Sequence, residues 1–137
     1  IRDIRPDLLF VPYWEDAHPD HVAGARLAEA ARFYAKLTKT TIAGEPFYPR
    51  RVIHFFSTHY RLHVRPSFLI DISRHIETKM AAVAAYASQF GVERGNEHLL
   101  DMIRTWNAYC GSLIGTAYAE PFILREEVGL IGLDQFI

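Results

Sequence analysis

Asp7-Leu8-Leu9-Phe10-Val11-Pro12-Tyr13-Trp14-Glu15-Asp16-Ala17-His18-Pro19-Asp20-His21 decides the fold, because an apolar run passes through a short loop into a capped helix. Asp7 to Tyr13 reads as a buried strand, apolar on both faces as in a parallel sheet. Trp14 to Ala17 is the loop. Pro19 suits the first helical position, where its missing N–H would have been an orphan anyway, so His18 becomes the cap. His18 and His21 are three apart on the first turn and point the same way. The helix's positive end disfavours a further positive charge on His21, which leaves the imidazole able to offer a lone pair to a metal. Asp20 in the same turn suits that dipole. Two imidazoles and a carboxylate thus gather at a strand's C-terminal end, where open α/β sheets place their sites.

Working outward, apolar Val22, Ala25, Leu27 (or Ala28), Ala31 (or Phe33), Tyr34 and Leu37 recur at helical spacing and predict a helix from Pro19 to about Lys39. Arg32, Lys36 and Lys39 read as its solvated face. Thr40 to Pro49, with Gly44, Pro46 and Pro49, is a loop. Arg51 to Ser57 is a second strand, with His54 a packed core histidine. Thr58 to Pro66 is polar and basic. Ser67 to Asp71 is a short extended segment, after which Asp71 or Ser73 caps a helix to about Phe90. Its buried face carries Ile72, Ile76, Met80, Val83 (or Ala84), Ala87 and Phe90, and Gly91 and Gly95 break it. A further helix spans roughly Glu97 to Leu113 and carries Leu99, Leu100, Ile103, Trp106 and Tyr109, with Trp106 spaced as a core position. Pro121 to Arg125 is a last extended segment. Alternating strands and helices make the chain α/β.

The 137 residues fit one domain, 1–137, and can bury a core. A net charge of −1 offers no general attraction to nucleic acid or to an anionic membrane. No apolar stretch is long enough to span a bilayer. Cys110 is the only cysteine, so no internal disulfide forms, and a reducing, cytoplasmic setting is the natural expectation. Cys110 itself reads as buried rather than nucleophilic. The chain opens Ile1-Arg2-Asp3 without an initiator methionine, as if partway through a larger protein.

A catalytic zinc takes three protein ligands and keeps a position for water. His21 qualifies as one. His18 is either a second ligand or a ring facing the reacting carbonyl, and a cap plus a histidine bonded to nearby backbone is the plainer alternative. Arg61 and Arg65 flank His59 and His63 and suit an anionic group better than a cation. His75 and His98 read as solvated.

Glu15-Asp16-Ala17-His18-Pro19-Asp20-His21 is similar to the second zinc motif of the LmbE-like (PIG-L) zinc deacetylases. Arg65-Pro66-Ser67-Phe68-Leu69-Ile70-Asp71-Ile72-Ser73, then Ile76-Glu77-Thr78-Lys79-Met80, resembles one branch, the bacillithiol-biosynthesis deacetylase acting on N-acetylglucosaminyl malate. So do Tyr86-Ala87-Ser88-Gln89-Phe90, Gly111-Ser112-Leu113-Ile114-Gly115 and Tyr118-Ala119-Glu120-Pro121-Phe122. The resemblance implies the C-terminal portion of a Rossmann-like three-layer fold with a mostly parallel sheet. It implies that His21 is a Zn2+ ligand, that His18 stabilises the oxyanion or protonates the leaving amine, and that Asp20 orients His18. The family's other two ligands and its general base lie in an Ala-His-Pro-Asp-Asp motif that this sequence does not contain. One ligand of three is therefore expected here, with no activity and weak zinc binding for this chain alone.

A substrate carrying two carboxylates calls for an arginine clamp, with Arg50, Arg51, Arg61 and Arg65 as candidates. Tyr109 is a candidate phenol donor, or simply an aromatic packed on a helix face. The expected partner is a small-molecule GlcNAc conjugate, with no nucleic acid and no membrane. Alternatives are another GlcNAc conjugate, such as a mycothiol precursor or a chitooligosaccharide, or a non-catalytic binding or assembly module. The resemblance also implies a homo-oligomer, and the tail Leu130-Ile131-Gly132-Leu133 fits a contact surface or a cover for the core.

Overall fold

A computed structural model describes residues 1–57, 64–90, 95–96, 98–132 and 134. The chain falls into two compact units, Ile1–Tyr60 with Ile123–Ile137, and Arg61–Phe122. The first holds a strand–helix–strand unit: β1 (Leu8–Pro12), α1 (Pro19–Ala35) and β2 (Arg51–Phe55). β1 and β2 pair in parallel, Leu8 opposite Arg51 through Pro12 opposite Phe55, and the bond from Tyr13 N–H to Phe55 O (2.9 Å) carries the ladder one step further. A parallel pair needs a crossover, and α1 supplies it while packing on β1.

Strand alternation divides β1 unequally. Val11 is buried, whereas Leu8 and Phe10 on the other face are exposed, which corrects the expectation of burial on both faces. The helix also ends at Ala35, short of Lys39. Buried Arg2 causes this. Its guanidinium donates to the carbonyls of Ala35 (3.0 Å), Leu37 (2.5 Å), Ile42 (2.5 Å) and Gly44 (2.8 Å), drawing the last turn into the following loop. Ala25 and Ala35 face inward, and Tyr34, expected inside, is exposed beside Phe33.

Arg32 is a second correction. It is buried, not solvated: Nε donates to Pro49 O (2.9 Å), one terminal nitrogen to Arg50 O (3.1 Å) and the other to Glu126 (2.7 Å). The Tyr48 ring lies over the guanidinium at 4.2 Å. A planar cation with several fixed donors can be satisfied this fully inside a protein.

The second unit contains β3 (Phe68–Asp71), α2 (Ile76–Ala84), the single turn α3 (Ala87–Phe90), α4 (His98–Ser112) and β4 (Ala119–Ile123, whose last residue belongs to the first unit). β3 and β4 pair antiparallel, Phe68 opposite Phe122, so the α/β chain mixes both ladder types. Ile72, Ile76, Met80 and Ile103 form its core, with Val83, Phe90, Leu100 and Tyr118 partly buried against it. Asp71 does not cap α2; its carboxylate accepts Ser73 N–H (2.8 Å) and Oγ–H (2.6 Å), and His75 sits at the cap position. The helix expected to reach Phe90 breaks at Ala85–Tyr86.

The buried stripe of α4 is Ile103, Asn107, Cys110 and Gly111, and Trp106, expected inside, is exposed. Gly111 fixes this rotation, because a Cβ there would lie 2.7 Å from the backbone of Thr116, Ala117 and Tyr118. Asn107 locks it by donating to Ala119 O (2.8 Å). Cys110 is buried as expected, and burial pushes its thiol pKa up. Leu130 and Ile131 are exposed and so do not cover the core; Gly91 and Leu133 lie outside the described residues.

Candidate active site

His18 caps α1 in the expected way. It holds an extended conformation, Pro19 follows it, and its Nδ1 accepts the Asp20 N–H at 3.2 Å. An accepting Nδ1 puts the proton of the neutral ring on Nε2, turning that nitrogen into a donor. The Asp20 carboxylate is 3.9 Å from Nδ1 and exposed. Asp20 therefore orients His18 through its main-chain N–H rather than through its side chain. The His18 and His21 rings stack with centroids 4.7 Å apart and planes 21° apart.

The residue that organises this turn is Asp16, which sequence reasoning passed over as loop. Its side chain is 1% exposed. Oδ1 accepts the His18 N–H at 2.8 Å, and Oδ2 takes His21 Nδ1 at 2.9 Å together with the Ser57 hydroxyl. Burial alone would raise the Asp16 pKa. The donors Ser57, His18 N–H and His21 outweigh it, so the carboxyl lies below the usual aspartate range. The arrangement follows from topology: Asp16 leaves the end of β1 and Ser57 the end of β2, two neighbouring parallel strands. The available signal was an aspartate two residues before a helix-capping histidine, but Ser57 is 41 residues away in sequence.

Arg50 and Arg51, expected at the site, are not gathered with His18 and His21. Arg50 and Arg51 stand at the N-terminal end of β2, about 13 Å of strand from Phe55. Arg50 is exposed, 3.8 Å from Asp7. Arg65 and Tyr109 belong to the second unit; both are exposed, and Tyr109 lies against Trp106 with centroids 5.7 Å apart. Arg61, His59 and His63 lie outside the described residues. His54 is fully buried, as expected.

These residues fit one metal-ligand position. A histidine whose one ring nitrogen faces a carboxylate is the usual partner arrangement for a ligating histidine, and coordination by His21 would run through Nε2, across the ring from Asp16. Among the described residues no group of three His, Cys, Asp or Glu side chains is placed to hold an ion. A complete centre needs donors from beyond them.

No family model matches the chain. It is 32% identical over 127 residues to a diacetylchitobiose deacetylase from Thermococcus kodakarensis, covering 88% of this chain and 45% of the relative. The chain is homologous to that deacetylase. The conserved protein TT1542 from Thermus thermophilus superposes with a TM-score of 0.80 at 39% identity, over 95% of this chain and 56% of that one. An N,N'-diacetylchitobiose deacetylase from Pyrococcus horikoshii, complexed with its inhibitor MPG, gives a TM-score of 0.61 at 25% identity, over 88% and 46%. The hydratase GalB from Pseudomonas putida, at 20% identity and a TM-score of 0.75, shares the fold. The chain spans about half the length of the relatives it matches. Among the described residues no helix is long and apolar enough to cross a membrane.

Proposed function

We propose that the whole protein is a metal-dependent N-deacetylase of an N-acetylglucosamine conjugate, with N-acetylglucosaminyl malate, the bacillithiol precursor, as substrate. The Asp16–His21 pair at 2.9 Å carries this reading, because a fully buried carboxylate held on a histidine's Nδ1 is how proteins prepare a metal-binding imidazole. The deacetylase relatives support the reaction class. The blocks Arg65–Ser73 and Tyr118–Phe122 support the malate conjugate over a chitooligosaccharide.

A divalent zinc ion, when bound, lowers the pKa of a water molecule and polarises the acetamide carbonyl. Asp16 keeps the His21 ring in one orientation and its proton on Nδ1. His18 presents Nε2–H as donor to the developing oxyanion, or, once charged as imidazolium, protonates the leaving amine and returns to the neutral ring. The N-terminus of α1 adds a positive field at the same place.

The test is acetate release by the whole protein, with N-acetylglucosaminyl malate and N,N'-diacetylchitobiose as competing substrates, before and after chelation. The proposal expects a higher kcat/KM for the malate conjugate and loss of activity on chelation that added zinc restores. Preference for diacetylchitobiose would replace the substrate, and chelator-insensitive turnover would remove the metal.

A further inference from the structure

A polar cavity lies away from His18 and His21. It has a volume of about 210 Å³ and is lined by Glu29, Arg32, Tyr48, His54, Arg125 and Glu126, with Phe33 and Val52 as apolar walls. Glu29 is ten residues along α1 from Pro19, about 15 Å by helical rise, so the cavity is separate from the first turn that carries His18 and His21.

Its hydrogen bonds are nearly closed. Arg32 is spent on Pro49 O, Arg50 O and Glu126. Arg125 donates to Glu29 Oε2 at 2.8 Å and lies over the Trp14 ring at 4.3 Å. His54 is the exception. Its side chain is 1% exposed, and Nδ1 is 3.0 Å from Pro12 O, a carbonyl that can only accept. Nδ1 therefore carries the proton, and Nε2 of the neutral ring is a lone pair. That buried Nε2 has no hydrogen-bond partner among the described residues and lies 3.6 Å from Glu29 Oε1, another acceptor. A buried acceptor facing a partly exposed carboxylate oxygen is costly unless a donor stands between them.

We infer that this cavity binds a small ammonium or primary amine, whose N–H groups bridge His54 Nε2 and Glu29 Oε1. The chemistry of the pair selects the class. Both atoms accept, so an anion or an ether is excluded, and the ligand must bring at least two donors on one atom. Arg125 occupies Glu29 Oε2 and leaves Oε1, an acceptor, facing His54. The cavity is below the size of drug-like pockets, so only a few heavy atoms enter. Affinity is millimolar, the ceiling that so few atoms allow. The inference stands independently of the deacetylase reading.

Titrating the protein with methylammonium chloride at constant ionic strength, while following the His54 ring nitrogens by NMR, tests it. Tetramethylammonium chloride serves as the control of equal charge without N–H donors. The expected result is a free protein with an unprotonated Nε2, whose resonance moves saturably with methylammonium and not with the control. Glu29→Gln, which places an amide donor opposite Nε2 by itself, should abolish the shift while the protein stays folded. The inference is overturned if the free protein shows both ring nitrogens protonated, since a direct His54–Glu29 pair then needs no ligand. It is equally overturned if methylammonium produces no saturable shift, or if the control moves the resonance as far.

Discussion

His21 Nδ1 lies 2.9 Å from Asp16 Oδ2, five residues back across the start of α1, and the carboxylate is almost wholly buried. The same carboxylate takes Ser57 from the neighbouring strand, so one side chain ties two strand ends to the first helical turn. Replacing it with a neutral amide keeps the shape and removes the charge. Asp16→Asn should weaken zinc binding by the whole protein by roughly 10–100-fold, the usual cost of losing such a partner. Competition against a chromogenic chelator measures it, and an unchanged affinity would show that Asp16 does not prepare His21.

Arg32 is predicted to be a stability determinant. Arg32→Met strands the carbonyls of Pro49 and Arg50 and frees a half-exposed Glu126, which water can resolvate. Hydrogen bonds to a charged group suggest a loss of about 2–3 kcal/mol. Urea unfolding at neutral pH reads it as a lower midpoint with an unchanged slope.

Glu126 gives the pH dependence. The Arg32 hydrogen bond is the largest cause holding its pKa below the ordinary glutamate value, against burial, which raises it. A carboxyl depressed in the folded state contributes stability above its unfolded pKa and loses it as pH falls through the folded value. Stability should thus decline on acidification below the ordinary glutamate range, by a modest amount because Glu126 is half exposed. Glu126→Gln should be less stable than the parent at neutral pH, and the difference should close in acid.

Two glycines should respond oppositely to alanine. Gly111→Ala drives a methyl into backbone at 2.7 Å and should cost about 1–3 kcal/mol or more. Gly24 sits inside α1, where a Cβ would have nothing within 4 Å, and Gly24→Ala should stabilise by about 0.5–1 kcal/mol. Thermal melts of both variants check the pair.

What could be read from sequence was local. The strand, the His18 cap, Pro19 and the start of α1 follow from neighbours within one turn, and the structure reproduces them. What escaped depended on distant partners. Arg32 looks like any surface arginine until Glu126, 94 residues later, is brought beside it. The end of α1 is set by Arg2, and the roll of α4 by Gly111 meeting residues 116–118. Helical spacing alone put Trp106 inside and left out Asn107, because aromatic size outweighs a buried amide in any reading by hydropathy. Asp16 escaped in part: His18 and His21 lie within five residues of it, but its third partner, Ser57, comes from β2.

The most direct test of the central claim is the zinc content of the whole protein and its His21→Ala and His18→Ala variants, measured with acetate release on the same samples. The account predicts that His21→Ala loses both metal and activity, whereas His18→Ala keeps its metal and loses turnover. Zinc retained at full stoichiometry in His21→Ala would contradict it.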